Sequence, residues 1–189
     1  MKSVLISTRP KSVEKICHKI GEDETGKAIY EKRIEVRKTA PKEVPFKCYI
    51  YETKGQYVKF THGAHTKYGY GRGKVIGEFI CDKVEKLEEH IEQGGFYYIL
   101  SDTFNEQAQL DNWELHDYGK GKTLYGWHIS DLKIYNNPRE LSEFFKPCDR
   151  FLDCCTCRRL VHNEYMSCDN KITRPPLSWC YVEDLGEEE

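Results

Sequence analysis

The chain has 189 residues, long enough for one full domain with a small appendage. Hydrophobic residues make up 39% of it and aromatic residues 13%, which is enough for a core and argues against global disorder. The net charge of −2 hides a division, because residues 1–74 carry 17 Lys and Arg against 8 Asp and Glu, whereas residues 75–189 carry 12 against 23. The basic half favours an anionic partner, unless the two halves neutralise each other within the fold.

Hydropathy and cysteine content indicate the compartment. No apolar run approaches the roughly 18 residues needed to cross a bilayer, and the segment MKSVLISTRPK lacks the apolar core and cleavage site of a signal peptide. We therefore expect a soluble cytoplasmic chain with no membrane partner. In that compartment the nine cysteines favour free thiols or metal ligands over disulfides.

The first third of the chain is predicted to contain three strands and one short helix. A strand over 3–9 precedes a helix over 11–20, where apolar residues recur at helical spacing. The polar and acidic segment 21–29 is typical of a loop. Strands are predicted at 32–38 and 46–53, because apolar residues alternate there with polar ones.

The remaining elements are mostly strands. Gly77 interrupts one of them, and Gly94 and Gly95 are placed to end the first of two helices. We expect strands at 74–82, 96–100, 124–135 and 178–185, and helices at 83–93 and from Asn137 onward, where Pro138 and Glu140 complete a helix start. This order predicts an α+β domain with a curved, largely antiparallel sheet.

The segment KRIEVRK at 32–38 places one carboxylate among four cations. On a strand, Arg33, Glu35 and Arg37 share the face opposite Ile34 and Val36, so Glu35 can reach either arginine. One interpretation is a self-neutralised outer face, in which each exposed ion pair contributes ~0–1 kcal/mol. The other is a preorganised charged floor of a cavity.

A second basic segment, GQYVKFTHGAHTKYGYGRGK at 55–74, contains no acid. Its cations and aromatic rings interleave, which suits a single nucleic-acid strand whose bases stack on rings while its phosphates meet cations. We predict that Lys59, Lys67, Tyr68, Tyr70, Arg72 and Lys74 bind nucleic acid. The alternative is a long solvated hairpin loop made mobile by its glycines.

The C-terminal segment holds six of the nine cysteines. Cys154 and Cys157 form a C-x-x-C pair, a spacing that places two thiolates at adjacent corners of a zinc tetrahedron. Cys148 and Cys168 are the expected third and fourth ligands. Four thiolates fill the coordination sphere, so the predicted zinc is structural. Alternative ligands are Cys155, His162 and Cys180, and the alternative to a metal is a set of spare thiols.

Several of these segments resemble the ASCH domain family of the PUA-like superfamily. The family pattern G-x-K-x-x-E-x-R aligns with Lys32, Glu35 and Arg37, and Tyr30 replaces its glycine. The stretches PFKCYIYETK and VIGEFICD resemble the third and fourth strands of ASCH-like proteins common in phages and prophages, and TRPPLSWCYVEDL resembles their closing segment.

The resemblance implies an α+β fold, a PUA-like mixed β pseudo-barrel with short flanking helices over 1–146. A Cys-rich C-terminal appendage over 147–189 follows, whose last strand packs back on the barrel. The resemblance also implies a cleft that carries Lys32, Glu35 and Arg37 and binds RNA or a modified nucleotide. Small relatives hydrolyse the amide of acylated cytidine with a lysine and a threonine. Lys32 matches that lysine, but Glu35 stands in the threonine's place.

Three functions are therefore compared. The first is a binding module for RNA or a modified nucleotide. The second is a hydrolase, either an amidohydrolase or a nuclease, acting on a modified nucleoside or RNA, with Lys32 and Glu35 as a base or proton-relay pair. The third is a phage protein, located in the host cytoplasm, whose acidic half contacts a host factor.

Overall fold

The computed structural model describes residues 1–62, 65–92, 95–101, 103–147 and 170–186. Its strands are β1 (Lys2–Thr8), β2 (Lys19–Glu22), β3 (Ala28–Tyr30), β4 (Ile34–Arg37), β5 (Phe46–Glu52), β6 (Gly55–His62), β7 (His65–Gly71), β8 (Val75–Cys81), β9 (Val84–Leu87), β10 (Glu89–Glu92), β11 (Gly95–Tyr98), β12 (Leu124–His128), β13 (Ser130–Arg139) and β14 (Trp179–Val182). Its helices are α1 (Pro10–Cys17), α2 (Phe104–Ala108) and α3 (Asn112–Gly119), with a 3₁₀ turn at Leu141–Glu143.

The strands form two main sheets and three hairpins. One sheet has the order β13-β8-β5-β1-β14 and the other the order β4-β12-β9, while β2–β3, β6–β7 and β10–β11 are two-stranded. Strands β1 and β5 are parallel, and their other neighbours are antiparallel. The predicted mostly β fold with few short helices is confirmed, and the described strands group into open sheets rather than one closed barrel.

The core surrounds the central strand β5, all seven residues of which are buried. On one face Phe46 meets the fully buried Trp127 edge to face, with ring centroids 5.1 Å apart. On the other face Tyr49 packs against Phe144 at 5.0 Å and donates a 2.6 Å hydrogen bond to Asp184. Alternation along β5 predicted one polar face, but later segments of the chain cover that face too.

Two helix predictions are wrong. Within the segment predicted as a helix, Val84–Leu87 form β9 and Glu89–Glu92 form β10, because backbone pairing with β12 and β11 outweighs the helix-favouring composition. The helix expected from Asn137 is instead the end of β13, which runs to Arg139. Pro138 is tolerated there because, among the described strands, β13 lies at the edge of its sheet and pairs on one side only, with β8.

Other boundaries also differ from the predictions. Helix α1 ends at Cys17, so Ile20 lies in β2 and is exposed. The segment expected to be a loop at 21–29 is the turn of the β2–β3 hairpin together with parts of both strands. Helices α2 and α3 were not predicted. Within the described ranges, no helix is long and apolar enough to span a membrane.

Candidate functional site

Lys32, Glu35 and Arg37 come together in what we call the charged cluster. Strand β4 directs Glu35 and Arg37 to one face, while Ile34 and Val36 pack into the core beside α2 and α3. Lys32 precedes β4, and its side chain reaches the same cluster. Arg33, expected on the face of Glu35, instead approaches Glu106, with Nη2 3.5 Å from Oε1.

The charged cluster is buried and tightly connected. The three side chains are only 5–6% exposed. The Lys32 ammonium lies 2.8 Å from Glu35 Oε2, and Arg37 Nη2 lies 2.8 Å from Glu35 Oε1. KRIEVRK is therefore not an exposed strand face, whereas the charged floor of a cavity stays a prediction.

Other elements complete the contacts of the cluster. From α1, the Ser12 hydroxyl accepts a 2.8 Å hydrogen bond from Lys32 and lies 3.4 Å from Glu35 Oε2, to which it donates. From the end of β1, the Ser7 carbonyl accepts from Arg37 Nη1 at 3.0 Å, and Thr8 Oγ1 accepts from Nη2 at 3.1 Å. Arg37 Nε is buried with no partner among the described residues.

The electrostatics of the cluster keep Glu35 ionised. Burial alone would raise the pKa of the Glu35 carboxyl, but the Lys32 ammonium and the Arg37 guanidinium outweigh burial and hold that pKa below its usual value. With Glu35 charged, the three side chains carry a net charge of about +1 in a volume from which water is largely excluded.

The residues around the cluster were not predicted from the sequence. The Tyr118 ring, on α3, is 37% exposed, and its hydroxyl lies within electrostatic reach of Arg37, Glu35 and Arg9. Lys38 Nζ lies 5.0 Å from the centre of that ring, and both Arg9 and Lys38 are exposed. The sequence offers no signal that joins these residues, because α3 is short and weakly amphipathic.

The basic segment 55–74 forms the β6–β7 hairpin. Tyr57 pairs with Gly69, where a Cβ would lie 2.5 Å from the Tyr57 ring, so a larger residue at 69 would displace that ring. The partners Val58 and Tyr68, together with Tyr70, are exposed. The segment is thus a regular pair of antiparallel strands whose residues Tyr68 and Tyr70 are exposed.

The cations of this hairpin meet carboxylates from other segments, which the acid-free sequence did not predict. Lys59 lies 3.5 Å from Glu14, Arg72 lies 3.7 Å from Glu52, and Lys74 lies 2.7 Å from Glu140. The pairs made by Lys59 and Lys74 are exposed on both sides, so they contribute little and exchange readily. Glu52 is only 6% exposed and also accepts a 3.0 Å hydrogen bond from the Arg72 backbone N–H. Between the hairpin and α1 is an open cleft of about 600 Å³, whose walls include Lys11, Lys15, Lys59 and Arg72.

The predicted zinc ligands Cys148, Cys154, Cys157 and Cys168, and the alternatives Cys155 and His162, lie outside the described residues. In the part that is described, no three His, Cys, Asp or Glu side chains cluster as a metal site. Cys180 lies in β14 and is half-buried. Burial raises the pKa of the Cys17 thiol to about 11 and that of Cys81 to about 12, so both are poor nucleophiles.

Among known proteins, the chain matches solved structures but no family model and no curated sequence. The crystal structure of ASCH from Zymomonas mobilis covers 96% of this chain and 88% of that chain, with 16% identity and a TM-score of 0.49. A serine-to-alanine mutant of the Zymomonas protein covers 96% and 89%, with 15% identity and a TM-score of 0.50. The likeness to the latter supports an ASCH-like fold and carries no information on ligands.

Proposed function

We propose that this chain is a binding module for RNA or a modified nucleotide, centred on the charged cluster. The observation that carries the proposal is that three ionised side chains are buried together beside an exposed tyrosine and two exposed cations. Removing charges from water costs several kcal/mol per ion, so such a group is a poor way to stabilise a fold. A preorganised binding surface accounts for the arrangement better.

The cluster retains capacity for a ligand. A carboxylate has about four lone-pair sites, and the Glu35 carboxylate meets three donors, from Lys32, Arg37 and Ser12. One site remains for an amine on the edge of a base. Arg37 Nε adds a donor with no partner among the described residues.

The surrounding residues supply the other interactions that a nucleotide needs. The partly exposed Tyr118 ring offers a surface for base stacking, which is worth ~1–3 kcal/mol per base. Arg9 and Lys38, near that ring, are placed to meet phosphate. Tyr68 and Tyr70 on the hairpin provide a second stacking surface for a longer strand.

The test is the salt dependence of RNA binding. A fluorescein-labelled single-stranded oligoribonucleotide is titrated with the protein between 50 and 200 mM salt, and its anisotropy is followed. For a single strand, each phosphate contact adds about 0.7 to the steepness with which log K falls against log salt concentration. The double variant Arg9→Gln, Lys38→Gln should therefore reduce that steepness by about 1.4. Because Arg9 and Lys38 are both exposed, replacing them should leave the fold of the protein unchanged.

The matched control removes two exposed cations elsewhere, Lys83 and Lys133. Lys83 precedes β9, which lies at the opposite edge of the smaller sheet from β4, and Lys133 is on the edge strand β13. The proposal fails if both double variants change the slope equally, or if the parent protein binds no RNA or nucleotide.

A hydrolase is the second candidate, because Ser12 places a hydroxyl between Lys32 and Glu35. In this mechanism the Ser12 hydroxyl attacks the amide carbonyl of an acylated cytidine while its proton passes to Glu35. The C–N bond then breaks as Glu35 returns that proton to the departing cytidine amine, and water hydrolyses the acyl-serine ester to free the acid and Ser12. The low pKa of Glu35 makes it a weak base, so the geometry supports binding better. Release of cytidine from an N-acylated cytidine, abolished by Ser12→Ala and insensitive to salt, would establish the hydrolase. No release leaves binding as the function.

A further inference from the structure

One segment of the chain, which we call the acidic segment, contains Asp and Glu but no Lys or Arg. The 33 residues between Lys86 and Lys120 contain eight Asp and Glu and no Lys or Arg. This segment forms β10, β11, α2 and α3. Some of its acids are paired with outside cations, as Glu88 is with Lys86 and Glu106 with Arg33. Asp117 and Glu114 are exposed on α3.

The same segment contains an aromatic cleft. Helix α3 packs on β11 and leaves a cleft of about 250 Å³ between them. Every wall residue comes from the acidic segment: Phe96, Tyr97, Tyr98, Asn112, Trp113, Leu115 and His116. This aromatic cleft is distinct in composition from the charged cluster, because none of its wall residues is a Lys, Arg, Asp or Glu.

Three rings of the aromatic cleft lie nearly parallel, whereas Tyr98 meets Phe96 edge to face at 82°. The His116 ring stacks on Phe96 with centroids 4.0 Å apart and planes 14° apart. Trp113 is nearly parallel to His116, at 5.9 Å and 13°. Trp113 is 74% exposed, so much of its ring is open to a ligand.

Charge and ring geometry together select the ligand. The face of an aromatic ring attracts a cation, most strongly for tryptophan. No Lys or Arg is among the wall residues of the aromatic cleft, whereas Arg9, Arg37 and Lys38 lie near Tyr118 at the other end of α3. The aromatic cleft therefore disfavours the phosphate of a nucleotide. A guanidinium group is planar, stacks on aromatic faces and always carries its charge. We propose that the aromatic cleft binds an arginine side chain from a basic segment of a partner protein.

The test uses a fluorescein-labelled peptide in which three arginines alternate with glycine. Its binding is measured by anisotropy against a peptide in which citrulline, an uncharged planar isostere, replaces each arginine. We expect the citrulline peptide to bind at least tenfold more weakly. Trp113→Leu should weaken binding of the arginine peptide about tenfold, whereas Trp113→Phe, which keeps a ring, should retain most of it.

Control variants separate this site from other surfaces. Leu177→Ala changes an exposed apolar residue outside the cleft and should leave binding unchanged. The variant Arg9→Gln, Lys38→Gln should also bind the arginine peptide normally, so this proposal and the RNA proposal can fail separately. Equal binding by the parent and Trp113→Leu would mean diffuse attraction to acidic surface and would overturn the inference. Binding of free adenosine monophosphate at Trp113 in place of the peptide would overturn it too.

Discussion

Removing the charge of Glu35 tests whether the charged cluster is as buried and as coupled as its geometry indicates. In Glu35→Gln, two cations that are about 95% buried lose the carboxylate that lies 2.8 Å from each. Breaking a buried ion pair by removing one partner costs about 3–5 kcal/mol. Domains typically have a free energy of unfolding of about 5–15 kcal/mol, so the loss is a large fraction of the total.

The assay is urea unfolding followed by the fluorescence of the fully buried Trp127, with Trp113 replaced by Phe in every protein to remove an exposed emitter. The matched control is Glu43→Gln, because Glu43 pairs with Lys2 at 2.7 Å but both side chains are exposed. This control should leave the unfolding midpoint unchanged.

A double variant separates the lost ion pair from other effects of the substitution. Lys32→Met added to Glu35→Gln removes one of the two uncompensated cations, and we expect it to recover part of the lost stability. The reasoning is refuted if Glu35→Gln unfolds at the same urea concentration as Glu43→Gln, because the cluster would then be solvated in solution.

Four further predictions follow from individual contacts. Because the pKa of Glu35 is lowered in the folded state, the ionised carboxylate stabilises the fold fully above the usual pKa near 4.5, and this stabilisation is lost as pH falls through the folded-state pKa. Urea unfolding followed by circular dichroism at several pH values should show a smaller acid-induced loss of stability in Glu35→Gln than in the parent. Equal losses in the two proteins would contradict the lowered pKa. Gly126→Ala places a Cβ 2.7 Å from Phe104 Cε2 and should cost about 1–3 kcal/mol in thermal unfolding, whereas Gly21→Ala, where no atom lies within 4 Å, should be neutral; equal melting temperatures would contradict the packing. Neutralising Lys67, Arg72 and Lys74 together should weaken RNA binding for all sequences and flatten its salt dependence; an unchanged slope would remove the hairpin from the interface. Elemental analysis should find one zinc per chain, lost in Cys154→Ser; a zinc content near zero with residues after 146 still protected from proteolysis would contradict the site.

The sequence predicted the strands better than the helices. Strands β1, β5, β8 and β14 combine β-branched and aromatic residues with clear boundaries, and each lies where it was expected. Segment 83–93 misled the prediction because Glu and Lys at helical spacing favour a helix in isolation, whereas pairing with β12 and β11 is a tertiary effect. Helix α3 went unnoticed because the helix that the capping box of Asp111 and Glu114 begins has only eight residues, of mixed composition.

The candidate site was only partly accessible from the sequence. The pattern around Lys32, Glu35 and Arg37 identified the three side chains that meet. It could not show that Arg33 turns away or that Lys32 reaches Glu35 from outside the strand. Ser12 and Tyr118 join the site from α1 and α3, distant segments that only the packing of the sheets brings to β4.

Mapping where RNA touches the protein tests the central proposal most directly. A single-stranded oligoribonucleotide containing 4-thiouridine is crosslinked to the protein by near-ultraviolet light, and the modified peptides are identified by mass spectrometry. The account predicts crosslinks at Tyr118, beside the charged cluster, and at Tyr68 or Tyr70 on the hairpin, all of which are exposed at least in part. Crosslinks confined to Trp113 in the acidic segment, or spread over the surface without enrichment at Tyr118, would contradict it.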